Sequence, residues 1–510
     1  MWETAAVRAA LHPTMSTSES AMSFAETSVD NEPLEPDSFD DRVRLLLNDP
    51  AALGGYSCHA WNRLSRTDVD ALQLNGLKQR FAGLRDWIPV LKKLADGQGV
   101  ERIDEFDDVV PLLFEHTVYK SYPPSLLGKR NFTQLNRWLG KLVTPEVADA
   151  IASADVSGCQ GLDDWFAAMD EAVPQLRLSH TSGTSGTLSF LPHGVREWEK
   201  TCQLRKLFVW NMDGAQTPQP ELHTVFPYYR SGYLSHLRAN DFLIKALLPG
   251  ESHFHAAYPA TLSTDVLHLG ASIRAAHAKG TLDRLAISPE LKARKQEFDK
   301  LQADMPQHLA TFFERMATEL RGKRVYIGAT WNLLHNMAKT GLARGLEGVF
   351  DADSYLATTG GAKGVVQPAG WQQDILRFTG AKKLNETYAM SEVVGGSHMR
   401  CEHGHYHFAP TVIPFLLDPE TSKPLPRVGR ITGRAAFFDL GADRRWGGFI
   451  TGDELTVEWN QPCPCGWQSR YVVGPIQRYS EKNGGDDKIT CAATESSHRE
   501  AMDFLNRLEG

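Results

Sequence analysis

From Thr181 to Thr187 the chain reads Thr-Ser-Gly-Thr-Ser-Gly-Thr, so five hydroxyl side chains and two glycines occupy seven consecutive residues. Glycine lets backbone N–H groups approach an anion closely, and serine or threonine hydroxyls add further donors, which is the composition of a phosphate cradle. The loop lacks the Gly-Lys-Ser/Thr ending of a Walker loop and does not spell the Gly-x-Ser-x-Gly elbow of serine hydrolases. A flexible Ser/Gly turn is the other reading of the same residues. A second constellation is metal-like. Cys401, Cys463 and Cys465 offer three thiols, the last two at a Cys-Pro-Cys-Gly turn, and His403, His405 and His407 offer alternative imidazoles. Three thiolates and one imidazole make the tetrahedral donor set of a closed structural zinc site. Free cysteines beside a His-rich turn are the alternative.

Four further runs follow the hydroxyl-rich loop in a fixed order: Thr359-Gly360-Gly361-Ala362, Tyr388-Ala389-Met390-Ser391-Glu392, Thr451-Gly452-Asp453 and Asp486-Asp487-Lys488-Ile489. Taken together over residues 176–490, the five motifs resemble the adenylate-forming superfamily, which includes acyl-CoA ligases, nonribosomal adenylation domains and luciferases. The resemblance implies roles residue by residue. Thr181, Ser182, Gly183, Thr184, Ser185 and Gly186 would hold the β- and γ-phosphates of ATP. Gly360, Gly361 and Ala362 would line the adenine pocket, and Tyr388 would stack on the base. Ser391 would contact the α-phosphate, and Glu392 would help ligate Mg²⁺, a hard cation that prefers oxygen. Asp453 would accept hydrogen bonds from the ribose hydroxyls, with Arg478 as a further ribose or phosphate contact. For Glu392 and Asp453 the plain alternative is a helix cap or turn carboxylate.

The chain departs from that pattern in two places. Gly186-Thr187-Leu188-Ser189 stands where the superfamily commonly continues Gly-x-Pro-Lys, so a phosphate-contacting lysine is missing. The usual small C-terminal domain, with its catalytic lysine, is expected to be largely missing. Lys363, directly after Gly360-Gly361-Ala362, is the nearest cation that could replace one of these charges; a surface lysine is its other reading.

Within the superfamily the chain looks nearest to acyl-protein synthetases, adenylating proteins of phenazine biosynthesis and phenylacetate-CoA-ligase-like members. The last show a similar Cys…His and Cys-x-Cys pattern, which selects His407 as the partner of Cys401, Cys463 and Cys465. The expected function is ATP-dependent activation of a carboxylic acid as an acyl-adenylate with pyrophosphate release. Acyl transfer would follow to a partner thiol or amine, in secondary metabolism, with CoA, a carrier protein or a reductase as acceptor. The alternatives are an acyl-CoA ligase and a non-catalytic nucleotide-binding interaction protein. Cys491 lies where some relatives carry an acyl group, and a packing cysteine is its other reading. Tyr228-Tyr229-Arg230, with Tyr233, reads either as a contact for an aromatic or anionic acid or as a core aromatic cluster.

These residues need a scaffold. Val43, Leu46 and Leu47, and Leu162, Trp165, Phe166 and Met169, recur three and four residues apart, which predicts helices with one buried face. Tyr119 to Pro124 reads as an extended or turn element. Gly194 to Phe208 reads as a helix, and apolar runs at Val225-Phe226, Val325–Ile327, Tyr355–Ala357 and Lys383-Leu384 read as strands. Strands alternating with helices predict an α/β fold. Beyond Tyr406 short strands and Gly/Pro turns predict a β-rich part. The expected organisation is a disordered N-terminus over 1–38, a mainly helical part over 39–175 and an α/β nucleotide-binding core over 176–405. A β-rich subdomain with the zinc site over 406–475 and a hinge-like, truncated end over 476–510 complete it. By the resemblance this is a large adenylate-forming domain with mixed sheets flanked by helices.

Bulk properties bound the reading. A chain of 510 residues exceeds the size at which one core stops growing. A net charge of −8 disfavours nucleic acid as the main partner. No apolar run is long enough to span a bilayer, and the N-terminus is not expected to be a secretory signal. Seven unevenly placed cysteines suit thiols or a metal in a reducing cytoplasm better than a disulfide framework.

Overall fold

The computed structural model describes residues 38–181, 187–269, 307–359, 367–396 and 398–479. Ser182, Gly183, Thr184, Ser185, Gly186, Gly360, Gly361, Ala362, Lys363 and Cys491 lie outside the described residues.

The first part of the chain is helical because its apolar residues keep helical spacing. The helix Phe39–Asn48 starts at Ser38, whose Oγ accepts from the Asp41 N–H, and buries Val43, Leu46 and Leu47. The helix Leu162–Ala172 buries Leu162, Trp165, Phe166 and Met169 on one face. Trp165 packs edge-on to Phe166 and Phe190, so this helix is locked onto the strand that carries Phe190. Between them, Val118–Lys120 is a 3-10 turn, and Tyr122 just beyond it is buried.

Fourteen strands are described. They are β1 (Phe114–Glu115), β2 (Leu176–His180), β3 (Phe190–Gly194), β4 (His223–Gly232), β5 (Phe254–Leu262), β6 (Val325–Thr330) and β7 (Tyr355–Thr359). The rest are β8 (Leu384–Tyr388), β9 (His398–Arg400), β10 (Tyr406–His407), β11 (Val412–Leu417), β12 (Arg430–Asp439), β13 (Gly448–Glu458) and β14 (Tyr471–Arg478). Strands β2 and β3 pair with each other, antiparallel. The other twelve form one mixed sheet in the order β11-β12-β13-β14-β10-β9-β8-β7-β6-β4-β5, with β1 on β13.

Strands β5, β4, β6, β7 and β8 are parallel, with the helix Trp331–Leu342 connecting β6 to β7 and the helix Trp371–Thr379 connecting β7 to β8. Burial alternates along β7, with Leu356 and Thr358 buried and Tyr355 and Ala357 half-buried, so one face of the strand is more enclosed than the other. From β8 to β9 the pairing turns antiparallel and stays so through β10, β14, β13, β12 and β11. The β-rich part after Tyr406 is therefore continuous with the parallel strands through β9, and the described residues from Ser38 onward belong to one compact unit. In open α/β sheets ligands are taken outside the carboxyl ends of the parallel strands.

Candidate active site

The register of the parallel strands brings their ends together. Thr330 pairs with Thr359, and Thr359 pairs with Thr387, so β6, β7 and β8 finish level with one another. The run Thr359-Gly360-Gly361-Ala362 begins at the end of β7, and Tyr388 closes β8. These ends open into a cavity of about 1710 Å³ whose lining includes Thr181, Thr359, Tyr388, Ser391, Glu392, Asp453 and Arg478. Among the described residues, the expected nucleotide contacts therefore share one cavity.

The hydroxyl-rich loop is held at its base. It joins β2 to β3, where His180 pairs with Phe190. The Thr181 N–H donates to the Ser189 carbonyl at 3.1 Å, and the Ser189 N–H returns a bond to Thr181 Oγ1 at 3.2 Å. His180 Nδ1 meets the Thr181 carbonyl at 2.8 Å and Nε2 meets Thr264 Oγ1 at 3.2 Å. Tyr122 donates to the Leu188 carbonyl at 2.9 Å, tying the helical part of the chain to the loop exit. Residues on both sides of Ser182–Gly186 are thus fixed to elements that are far apart in sequence.

The segment after Tyr388 is clamped by buried charge. The Val394 and Gly395 N–H groups donate to Asp439 Oδ2 at 3.1 and 2.8 Å, and the Gly441 N–H donates to Oδ1 at 2.8 Å. His193 Nε2 meets the Ser391 carbonyl at 2.9 Å, while Nδ1 faces Glu197 Oε2 at 3.2 Å. Arg445 pairs with Glu197 at 3.0 Å and approaches Asp439 at 3.7 Å. Burial pushes the Glu197 carboxyl up, but Arg445 and His193 outweigh it and hold it down at about 2. Thr201 Oγ1 and Thr411 Oγ1 donate to the Val394 and Gly395 carbonyls. Sequence reading missed this clamp; the charged run Asp439, Asp443, Arg444, Arg445 closing an apolar strand was its only trace.

Within the cavity Tyr388 donates to Asp453 Oδ2 at 2.7 Å, and Arg478 Nε lies 3.5 Å from Asp453 Oδ1. Burial, then Asp453, push the Tyr388 phenol well above its ordinary range, so it stays a protonated donor. Glu392 is half-buried, and burial raises its carboxyl above the usual glutamate range despite His116, His193 and Arg478. The Tyr228 ring lines the cavity. Tyr229 instead stacks on Tyr258 and Tyr233 on Phe166, both as core aromatics. Arg230 is spent on Glu251 and Asp241.

Cys401, His407, Cys463 and Cys465 converge, with one ligand atom from each within 4.8 Å of the others. Strand pairing explains this: His407 on β10 stands opposite Tyr471 on β14, and Cys463 and Cys465 lie in the connection leading to that strand. Cys401 Sγ and Cys463 Sγ are 3.8 Å apart, and His407 Nε2 is 3.4 Å from Cys465 Sγ. A disulfide would need sulfurs about 2.05 Å apart. A tetrahedral ion about 2.3 Å from each sulfur separates them by roughly 3.8 Å. His407 Nδ1 meets Ser469 Oγ at 3.1 Å, which orients the ring as a second partner of a metal-bound imidazole does. His405 stacks on Tyr471 with Nδ1 3.3 Å from Cys463 Sγ, but it falls outside the four-atom group. The four residues fit a zinc ion by donor type and spacing.

No protein-family model matches the chain, and no curated protein matches it. Solved structures are similar in backbone course. A 2-hydroxyisobutyryl-CoA ligase in an open conformation with 2-HIB-AMP and CoA is 12% identical at TM-score 0.47, covering 80% of this chain and 74% of that one. ATP-bound MatB from Rhodopseudomonas palustris is 14% identical at TM-score 0.32, covering 58% and 46%. The long-chain-fatty-acid-CoA ligase FadD1 from Archaeoglobus fulgidus is 12% identical at TM-score 0.34, covering 60% and 52%. The alignment spans about half the length of the last two. Among the described residues, no helix is long and apolar enough to cross a membrane.

Proposed function

We propose that the chain is an ATP-dependent, AMP-forming ligase that activates a carboxylic acid as its acyl-adenylate. The observation that carries this reading is the convergence of Thr181, Thr359, Tyr388, Ser391, Glu392, Asp453 and Arg478 on one cavity at the carboxyl ends of parallel strands. In the reaction a carboxylate oxygen attacks the α-phosphorus, the bond to the bridging oxygen of the β-phosphate breaks, and pyrophosphate leaves with that electron pair. Charge builds on phosphoryl oxygens, so the step calls for donors fixed in advance. The loop Ser182–Gly186, pinned at Thr181 and Ser189, would receive the β- and γ-phosphates. Ser391, with its carbonyl tied to His193, would face the α-phosphate. Asp453 would receive the ribose hydroxyls, and Tyr388, locked to it, would hold the adenine against Gly360, Gly361 and Ala362. Glu392 would hold Mg²⁺, which neutralises phosphate charge when bound. Lys363 is the candidate for the cation missing from the phosphate loop.

Cys401, His407, Cys463 and Cys465 would hold a structural Zn²⁺, stapling the β9–β10 turn to the connection before β14. The acyl-adenylate would then pass its acyl group to a thiol or amine acceptor, CoA or a carrier protein among them. Pyrophosphate release over a panel of carboxylic acids tests the proposal. Acid-dependent release with AMP formation is expected; ATP binding without acid-dependent release would replace it with a nucleotide-binding protein that has no such chemistry.

A further inference from the structure

Glu221, His223 and His253 bring one ligand atom each within 4.8 Å of one another, apart from the residues that line the cavity. Strand order explains the meeting. β4 runs parallel to β6 on one side and to β5 on the other, so its first residue, His223, stands beside Val325 and its second, Thr224, beside Phe254. His253 directly precedes β5, at the end of the 3-10 turn Glu251–His253, and its N–H donates to the Gly250 carbonyl at 3.1 Å. Glu221 lies two residues before β4, and Lys323 two before β6. All four side chains thus belong to the amino ends of the parallel strands, whereas the proposed nucleotide contacts belong to the carboxyl ends.

Two of the three donors face the third. His223 Nε2 and His253 Nε2 lie 3.1 and 3.0 Å from the same oxygen, Glu221 Oε1. Their other nitrogens are engaged: His223 Nδ1 meets His255 Nε2 at 3.2 Å, and His253 Nδ1 meets Ser252 Oγ at 3.2 Å. An imidazole held through one nitrogen presents the other to a metal. Zinc takes nitrogen and oxygen at about 2.0–2.2 Å, which in a tetrahedron sets neighbouring ligand atoms roughly 3.3–3.5 Å apart. The two separations are slightly shorter, so a small outward shift of Glu221 seats the ion. A cation already stands here. Lys323 Nζ is 3.4 Å from His223 Nε2 and 3.9 Å from Glu221 Oε1. An ammonium only donates and a carboxylate only accepts, yet both face His223 Nε2. With a proton on that nitrogen the contact to Lys323 has hydrogens on both sides; without one the contact to Glu221 has none. A divalent ion matches both, taking one lone pair from Nε2 and another from Glu221. Lys323 is 46% exposed, so its ammonium can turn into water as the ion enters, while His223, 8% exposed, keeps its place.

We propose that Glu221, His223 and His253 form a zinc site, separate from the Cys/His cluster, that ties the segment before β4 to the turn before β5 and takes its fourth ligand from water. His255 is the positioning residue behind His223, and Lys323 is the group the ion displaces. Two imidazoles select a transition ion over Mg²⁺ and Ca²⁺, which prefer all-oxygen sets.

The test is the zinc content of the full-length, tag-free chain after equilibrium dialysis against buffered micromolar zinc. Wild type is expected to hold about one more zinc per chain than Glu221→Gln or His253→Asn, and added zinc should raise its Tm further than theirs. Both variants alter side chains that reach solvent, and circular dichroism checks that they remain folded. His255→Leu should weaken the site about 10-fold, and Lys323→Met should tighten it about 3-fold. Because each readout is a difference between wild type and variant, the outcome is independent of what the Cys/His cluster holds and of any ATP chemistry. Cobalt(II) in place of zinc separates the two sites: the ion lost in the variants should carry no thiolate charge-transfer band. Equal zinc content in wild type and both variants overturns the site, and so does loss of a thiolate band in the variants. Displacement of the zinc by an equal concentration of Mg²⁺ would overturn it as well. Lost zinc in Lys323→Met would do the same, because the lysine would then support the cluster instead of competing with the ion.

Discussion

Tyr388 and Asp453, 65 residues apart in sequence, are joined by a 2.7 Å hydrogen bond from the phenol to Oδ2. The aromatic residue at the end of β8 and the carboxylate on β13 are thereby one device: the ring is oriented by the group that would receive the ribose. Tyr388→Phe keeps the ring and loses the tether, a bond to a carboxylate worth about 1.5 kcal/mol, so the KM for ATP should rise by up to about 10-fold. Asp453→Ala removes the acceptor itself and should raise it by 10-fold or more, since bonds to charged groups are worth about 1.5–3 kcal/mol. Initial rates of pyrophosphate release against ATP concentration measure both; an unchanged KM in Asp453→Ala would place the ribose elsewhere.

Asp439 should be among the costliest residues to remove. Its carboxylate takes three backbone N–H groups and faces Arg445, all fully buried. Asp439→Ala strands those donors and leaves Glu197 as the one carboxylate paired with Arg445 among the described residues, at a cost of about 3–5 kcal/mol in urea unfolding. Gly395→Ala should act at the same place, because a Cβ there collides with Asp439 Oδ1. A loss below 1 kcal/mol in both variants would show that the clamp is dispensable.

The Cys/His cluster predicts about one zinc per chain by metal analysis of the purified protein. Cys463→Ser should lose the metal and lower Tm, and strong chelators should do the same to the wild type. A metal-free wild-type chain that unfolds at the same temperature with and without added zinc would refute the site.

Stability should fall in mild acid. His180 and His398 are each 1% exposed, and burial holds them down at about 4 and about 3. Below about pH 6.5 the unfolded chain takes up protons that the folded chain refuses, so this stability is complete above pH 6.5 and lost as pH falls. Each imidazole contributes about 1.4 kcal/mol per pH unit. Glu197, held at about 2, acts lower, losing its contribution between pH 4.5 and 2. Urea midpoints at pH 7 and 5 read the effect. His398→Phe should flatten that dependence, and a wild-type chain equally stable at both values would contradict it.

The local elements were legible in the sequence because their causes are local. Helical spacing marked Leu162, Trp165, Phe166 and Met169, and the structure buries all four on one helix. Apolar runs marked β4, β6, β7 and β8 for the same kind of reason. The joining of the β-rich part to the parallel strands was not legible, since it depends on β8 pairing with β9 in the opposite sense. Arg230 illustrates the limit at a single residue. In sequence Arg230 stood beside the aromatic pair, readable either with it as a contact for an aromatic or anionic acid or as part of a core cluster, and the structure pairs it with Glu251 and Asp241.

The sequence alone supplied the residues proposed to carry chemistry and their order: the hydroxyl-rich loop, Tyr388 to Glu392, Asp453 and the three thiols with the nearby histidines. Those signals are short and contiguous, so chain connectivity preserves them. Only the tertiary structure decided which side chains meet. Strand register brought Thr359 level with Thr387 and paired β10 with β14, and the fold set Arg205 against the Tyr326 hydroxyl, with no ion pair among the described residues. A charge is defined by its neighbours in space: Asp453 meets Tyr388 65 residues away, Asp439 meets the Gly395 N–H 44 residues away, and Arg205 meets Tyr326 121 residues away.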